Sequence, residues 1–360
     1  MGSNGGGEFL SVVVPTYNER ENLNELLRRI DLVLRTEGIK YEVVIVDDNS
    51  PDGTADYAEK LSSKYPVRVI RRPGKLGLSS AVLDGVKESK GGIIAVMDAD
   101  LQHPPETLLR MLKELLNKDC DLVIASRYIK GGSVESWSLL RRAISKGAIL
   151  IARILLPKAR KIKDPMSGYF MFRREVVEAN MKYMNPKGFK ILLEVIVKGR
   201  ASKVCEVPYT FGIRYRGRSK LSSKEVLNYI VHVLNLAPDY IRFAVVGAAG
   251  TVVNLTVLAL LRYLIGVPHS YASAIAIEAS VVNNFILNDV WTFKSHRRGG
   301  VAKRFLKFHV SSALGLLTQW VVSFSMYYSV LSQSIIAQLV GIVAGFLVNY
   351  LLSKRFVWRS

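Results

Sequence analysis

From residue 9 to residue 221, short apolar runs alternate with amphipathic stretches. The runs at 9–15 (FLSVVVP), 41–46 (YEVVIV), 67–70, 93–97 and 121–126 (DLVIAS) each stop at a cluster of Pro, Asn, Asp, Gly or Arg. Apolar runs this short, bounded by breakers, predict buried strands. Between them the apolar positions recur at helical spacing. Leu23, Leu26, Leu27 and Ile30 share one face, and helices are predicted over 78–88, 106–116 and 139–156. Strands alternating with helices predict a Rossmann-like α/β unit with a mainly parallel sheet. Such a sheet brings its strand ends to one edge, so the loops that follow them converge on one cleft.

The pattern changes beyond Tyr240. Four long apolar runs follow, at 240–265, 267–289, 308–331 and 334–352, each about long enough to span a bilayer as a helix. The second carries Glu278, Asn283, Asn284 and Asn288 and is the weakest by hydropathy alone. A repeat supports it. Arg242-Phe243 matches Lys307-Phe308, Gly250 matches Gly315, and NFILNDVWTF from Asn284 matches NYLLSKRFVW from Asn349, all at an offset of 65. Two similar hairpins predict an all-α domain of four transmembrane helices. The expected organisation is a flexible end at 1–8, an α/β domain at 9–222, an amphipathic interface segment at 223–239 and the four-helix domain at 240–360.

Charge sharpens this division. The 50 basic and 30 acidic residues leave a formal net charge of +20. Such an excess suits nucleic acid, an anionic membrane surface or phosphate-bearing substrates. The basic residues cluster at membrane edges and in phosphate-seeking loops rather than on a separate face, which argues against nucleic acid. In a four-span arrangement Arg242, Lys294, Arg297, Arg298, Lys303, Arg304, Lys307, Lys354, Arg355 and Arg359 fall on one side, with Arg262 near the other. The positive-inside rule then places the α/β domain in the cytoplasm. The first residues, MGSNGGGEF, have no apolar core and do not read as a secretory signal. Cys120 and Cys205 give no disulfide framework and read as core thiols in a reducing compartment.

The candidate chemistry sits where the strands end. The run at 93–97 closes in Asp98-Ala99-Asp100, then Gln102, His103 and two prolines. Carboxylates at i and i+2 of an extended chain lie on one side. Such a pair suits either an acidic turn that caps the helix at 106–116 or a hard divalent cation that also takes a diphosphate. The second strand ends in Asp47-Asp48-Asn49-Ser50-Pro51-Asp52-Gly53-Thr54, with Thr54 placed to cap the next helix. The third is followed by a loop containing Lys75. Arg127 follows the 121–126 strand. On the 139–156 helix Arg141 and Ser145 lie four apart on one face; with Arg142 they form either the solvated face of a surface helix or an Arg–Arg–Ser cluster that fits a phosphate. The same helix is basic and amphipathic and suits a membrane surface. A Pro- and Gly-containing loop at 163–170 reads as a fixed turn. Glu194 on an apolar helix at 192–197 has an open role. The segment from Phe211, FGIRYRGRSKL, is basic and glycine-containing and therefore phosphate-seeking.

VVVPTYNE, IVDDNSPDGT and DADLQHPPE, in this order and spacing, resemble inverting glycosyltransferases of the GT-A fold that use nucleotide sugars, over residues 9–221. That resemblance implies that Pro15, Tyr17, Glu19, Val46, Asp48 (or Asp47) and Lys75, with Ala99, hold the donor nucleotide. It implies that Asp98, Asp100 and Gln102 bind Mg²⁺ or Mn²⁺. The SPDGT run and the F-x-x-R-x-x-G-x-S-K-L loop resemble the polyprenol-phosphate branch, most of all the dolichol-phosphate mannose synthases. This implies transfer of mannose from GDP-mannose to dolichyl or another polyprenyl phosphate. Arg127, Arg141 and Ser145 would then orient the acceptor phosphate, and Arg214 and Lys220 would neutralise the leaving diphosphate. The C-terminal half resembles small four-helix membrane proteins associated with lipid-linked sugar transfer. The alternatives are a UDP-glucose enzyme of the same chemistry and, from another class, a lipid-linked-sugar flippase or scaffold.

Overall fold

The structure, a computed structural model, describes residues 9–135, 137–184, 190–213, 223–326, 328 and 334–358. The chain divides between Leu236 and Ala237 into two compact units.

The first unit is α/β. It runs β1 (Leu10–Thr16), α1 (Arg20–Thr36), β2 (Tyr41–Asp47), α2 (Thr54–Leu61), β3 (Val67–Arg71), α3 (Leu78–Glu88), β4 (Ile93–Val96), α4 (Thr107–Asn117) and β5 (Leu122–Ser126). Then come β6 (Ser133–Val134), α5 (Leu139–Leu155), β7 (Phe170–Arg173), α6 (Glu175–Glu178), α7 (Ile191–Lys198), β8 (Val204–Pro208), β9 (Thr210–Phe211) and α8 (Ser223–Leu236). Seven strands form one sheet in the order β3-β2-β1-β4-β7-β5-β8, and β6 pairs with β9 apart from it. All the pairings are parallel except those of β7, which lies antiparallel between β4 and β5.

The strands are apolar on both faces because helices cover both. Val12 and Val14 of β1 pack with Leu23, Leu26, Leu27 and Ile30 of α1, all buried. On the other face Gly85 lets α3 approach closely, since a Cβ there would meet Val13 Cγ1 at 2.4 Å. Each buried Val, Leu or Ile contributes about 1.5–3 kcal/mol relative to exposure.

Three expectations need correction. Residues 163–170 were expected to be a loop throughout, but Phe170 opens β7, and Phe170 and Phe172 are fully buried. A four-residue antiparallel insertion carries no long-range signature in the sequence. Thr54 does not cap α2 from outside the helix. It is the first helical residue, and Asp52 Oδ1 accepts from its N–H at 3.0 Å. The cysteines are not free thiols. Cys120 and Cys205 form a disulfide, with Cα atoms 6.1 Å apart. Their separation of 85 residues conceals that β5 and β8 are neighbours, with Val123 opposite Cys205.

The second unit is helical: α9 (Asp239–Ala259), α10 (His269–Leu287), α11 (Val301–Met326) and α12 (Ser334–Leu352). Among the described residues two segments, Asp239–Leu264 and Leu339–Val357, are long and apolar enough to cross a membrane, with mean hydropathies of 2.1 and 1.4.

The repeat is visible in three dimensions. Arg242 Nη1 donates to Trp291 O at 3.3 Å, and 65 positions on Lys307 Nζ donates to Phe356 O at 2.9 Å. Gly250 lies against Asn284 and Gly315 against Asn349, and a Cβ at either glycine would approach the asparagine within 2.7 Å. Wide π turns close α10 at Asn288–Thr292 and α12 at Ser353–Val357. An aromatic cluster of Phe243, Phe285, Phe293, Phe308, Tyr350 and Trp358 fills this end of the bundle.

Candidate active site

Strands β2, β1 and β4 end side by side, and the motif loops meet there. Pro15 and Val46 are register partners, and Asp48 N–H donates to Thr16 O at 3.1 Å. The loops after β1 and β2 are then laced together. Asn18 N–H donates to Ser50 Oγ (2.9 Å), Glu19 N–H to Thr54 Oγ1 (3.0 Å) and Arg20 N–H to Asp52 Oδ2 (3.2 Å). The SPDGT run therefore acts as a scaffold for the first loop. Glu19 Oε2 accepts from Asn22 Nδ2 at 2.5 Å. Tyr17 is exposed at the tip, and Lys75 Nζ, from the loop after β3, lies 3.8 Å from its ring centroid.

The doubled acid of the second loop splits into two roles. Asp47 braces the loop. Its Oδ1 accepts from Thr16 Oγ1 (3.0 Å) and Ser50 Oγ (2.6 Å), and its Oδ2 accepts from Ser50 N–H (2.8 Å). Asp48 is also buried, and Arg72 neutralises it: Nη1 donates to Oδ1, while Gly77 N–H donates to Oδ2 at 2.9 Å. Arg72 was not expected to take part. The signal was the Arg71-Arg72 pair at a strand end, where successive side chains face opposite ways. Arg71 turns outward to Asp56 and Glu59, and Arg72 turns in.

Met97 N–H donates to Val13 O at 3.2 Å, which sets the acidic loop beside the end of β1. The Asp98 side chain is 37% exposed, whereas Asp100 is buried. Asp100 Oδ1 accepts from Gln102 N–H at 3.1 Å. Between them Leu101 holds φ +63°, a left-handed conformation that a branched side chain rarely adopts and that clusters at functional sites. Gln102 Nε2 donates to Gly212 O at 3.0 Å, which fixes the amide with its oxygen as the group that can ligate a cation. Gly168 keeps this corner open, because a Cβ there would lie 3.4 Å from Asp98 Oδ2.

Among the described residues no three His, Cys, Asp or Glu side chains gather as a metal cluster. Two carboxylates and an amide oxygen still form the hard donor set that suits Mg²⁺ or Mn²⁺ shared with phosphate and water. His103 supports the loop from below. It is buried, stacked on Tyr169, and its Nδ1 accepts from Asp98 N–H at 3.0 Å. Burial pushes its pKa down to about 4, so it is neutral near pH 7 with the proton on Nε2.

The expected acceptor residues converge on two aromatic rings. The Arg127 guanidinium lies 5.5 Å from the Tyr128 ring and 5.3 Å from the Trp137 ring. Arg141 lies 4.6 Å from the Trp137 ring, and Ser145 Oγ accepts from Tyr128 Oη at 2.8 Å. Trp137 Nε1 is buried and has no partner among the described residues. Arg127 is not an uncommitted cation. Its Nε and Nη2 each donate to Asp164 at 2.8 Å, and its backbone N–H donates at 3.0 Å. Burial opposes its charge, but the fully buried Asp164 more than offsets this and raises its pKa. Arg214 and Lys220 lie outside the described residues.

A family model described as Glycosyl transferase family 2 matches residues 11–180. A second, GtrA/DPMS, transmembrane domain, matches residues 242–358. The chain is 50% identical to a dolichol-phosphate mannosyltransferase of Pyrococcus furiosus, over 98% of this chain and 99% of that protein. The chain belongs to the dolichol-phosphate mannosyltransferases. A member of that family from Saccharomyces cerevisiae is 40% identical over 63% of this chain and 86% of its own. A solved glucosyl-3-phosphoglycerate synthase from M. tuberculosis aligns with 63% of this chain and 80% of its own, at 18% identity and a TM-score of 0.47. The two family models and the Pyrococcus furiosus relative make the chain a membrane glycosyltransferase: a GT-A-like catalytic unit followed by an all-helical membrane unit.

Proposed function

We propose that the protein transfers mannose from GDP-mannose to dolichyl or another polyprenyl phosphate, giving dolichyl-phosphate mannose and GDP with inversion. The observation that carries this reading is the full-length identity to the Pyrococcus furiosus enzyme. The convergence of Arg127, Arg141 and Ser145 at Trp137 and Tyr128 supports it, because that corner suits a phosphate monoester. An acceptor phosphate oxygen attacks C1 of the sugar. The bond from C1 to the diphosphate breaks, and GDP leaves with its electron pair.

The acceptor is anionic at neutral pH, so the chain has to position it and screen its charge rather than deprotonate it. Arg141 and Ser145 orient the phosphate, and Arg127, fixed by Asp164, adds a preorganised positive field. Pro15, Tyr17, Glu19, Val46, Asp48, Lys75 and Ala99 form the nucleotide side. Asp98, Asp100 and Gln102 would hold Mg²⁺ or Mn²⁺, which as a Lewis acid supplies charge stabilisation to the leaving diphosphate. Arg214 and Lys220 complete the donor side in this reading. The helical unit makes four passes, with the catalytic unit on the cytoplasmic face as the basic residues at 294–307 and 354–359 favour.

Purified protein in detergent, offered labelled GDP-mannose or UDP-glucose with dolichyl phosphate, tests the substrate assignment. Mannolipid and GDP are the expected products. A glucolipid from UDP-glucose with no mannolipid would overturn it. Accessibility of single engineered cysteines in the 294–300 segment, in sealed vesicles of known orientation, tests the topology.

A further inference from the structure

Strand β8 closes one edge of the sheet and carries an acid, Glu206, that lies outside the motif loops. Cys205 and Val207 pack toward the core, so Glu206 between them turns to the other face. There its carboxylate meets the backbone at 163–164. Glu206 Oε2 accepts from Lys163 N–H at 2.8 Å, and Oε1 accepts from Asp164 N–H at 3.0 Å. One carboxylate thus grips two successive amides, and bonds to an ionised acceptor are about twice as strong as neutral ones. A second tie follows at once. Ser167 N–H donates to Asp164 O at 3.3 Å and closes a turn with Pro165 at its second position, where a fixed φ is favoured.

The residue gripped this way is the one that grips Arg127. Asp164 is fully buried and accepts from Arg127 N–H at 3.0 Å and from Nε and Nη2 at 2.8 Å each. Glu206 therefore holds Asp164 by its backbone, while the Asp164 side chain is spent on the arginine. The clamp comes from the strand beside the one that delivers Arg127: Ile124 of β5 lies opposite Glu206, and Ser126 lies opposite Pro208. The Glu206 carboxylate thus sets where the guanidinium stands, 5.3 Å from the Trp137 ring and 5.5 Å from the Tyr128 ring. The metal loop is braced separately. Gly212 N–H donates to Gln102 O, and Gln102 Nε2 donates to Gly212 O, both at 3.0 Å. Loss of the Glu206 clamp then falls on the acceptor side.

We propose that Glu206 is a positioning residue for the acceptor phosphate, acting through Asp164 and Arg127. The inference rests on the reading above in which Arg127 serves the polyprenyl phosphate. Full-length Glu206→Ala is assayed in detergent with GDP-mannose and a short-chain prenyl phosphate, each varied in turn. Calorimetry measures binding of the prenyl phosphate and of GDP with Mn²⁺. The variant should lose about 10- to 100-fold in kcat/KM for the prenyl phosphate, the scale of a small misplacement of a positioned group. Its prenyl-phosphate binding should weaken, while KM for GDP-mannose and GDP–Mn²⁺ affinity stay at wild type. Glu206→Gln keeps one acceptor oxygen and should recover part of the loss. If Glu206→Ala does not fold, Glu206→Gln carries the same comparison.

Action through Arg127 is tested by a cycle. The ion pair is removed whole, as Arg127→Gln with Asp164→Asn, and the Glu206 change is repeated in that background. There it should cost little further in kcat/KM for the prenyl phosphate, because residues that act as one unit are not additive. The same fold-loss in both backgrounds overturns the inference. So does an equal loss of GDP–Mn²⁺ affinity, or unchanged kinetics in a folded Glu206 variant. If removing the pair leaves KM and binding of the prenyl phosphate unchanged, the acceptor role of Arg127 falls and the inference falls with it. A wild-type protein that makes only glucolipid, from UDP-glucose, overturns the donor assignment alone. The Glu206 comparison is then made with that donor and decided on the same terms.

Discussion

Arg127 and Arg141 share one aromatic ring: their guanidinium carbons lie 5.3 Å and 4.6 Å from the centroid of Trp137. One arginine follows β5 and the other lies on α5, so the indole fixes the spacing of two cations from different elements. Each contact is worth about 0.5–2 kcal/mol. Trp137→Leu should therefore raise KM for the lipid phosphate several-fold and leave GDP binding unchanged. Steady-state kinetics with each substrate varied, alongside calorimetry with GDP and Mn²⁺, checks this. Lost GDP affinity would move the ring to the donor side.

Asp164 holds Arg127 through three contacts and is fully buried. Removing one member of a buried ion pair strands the other charge, at a cost of about 3–5 kcal/mol. Asp164→Asn should lower the unfolding midpoint markedly. Asp164→Asn combined with Arg127→Gln should destabilise less than the sum of the two single changes. Strict additivity in chemical denaturation would show that the pair is not coupled.

Asp100 is buried and tied to the loop it serves, whereas Asp98 faces the cleft. Asp100→Ala should abolish detectable transfer, a fall of more than about 100-fold. It should also release bound Mn²⁺, observed by electron paramagnetic resonance independently of turnover. Chelation by EDTA should reproduce the loss in the wild type, and added Mg²⁺ or Mn²⁺ should reverse it. Full activity in EDTA would remove the metal from the mechanism.

The helical unit contains a reciprocal ion pair. Asp289 pairs with Arg304 at 2.8 Å. The positions 65 away, Lys354 and Asp239, pair at 3.6 Å with the charges exchanged. Each pair ties the end of one hairpin to the start of the other. The first is the stronger, because Asp289 also accepts from Trp358 Nε1 at 2.9 Å and lies 3.3 Å from Arg297. Asp289→Ala should cost about 3–5 kcal/mol. Lys354→Ala, at a more exposed pair, should cost about 1 kcal/mol or less. Thermal melts of the two variants in one detergent give the order. Equal losses would contradict the burial argument.

Much of this protein was legible in its sequence because the signals are local. Strand runs ending in breakers, the one-face leucines of α1 and the acid pairs at strand ends all depend on residues a few positions apart. The 65-residue repeat was legible for a related reason: each hairpin carries the same local pattern twice. Tertiary structure alone decided which of these groups are satisfied by one another. Arg127 and Asp164 are 37 positions apart, and they meet only because β7 inserts antiparallel between β4 and β5. Asp48 became half of a buried pair with Arg72 by the facing of one residue at a strand end. The cysteines became a disulfide because β8 lies beside β5. Periodicity determines which face of an element is buried, but strand order and register determine which charges share a site, and those depend on packing summed over the whole sheet.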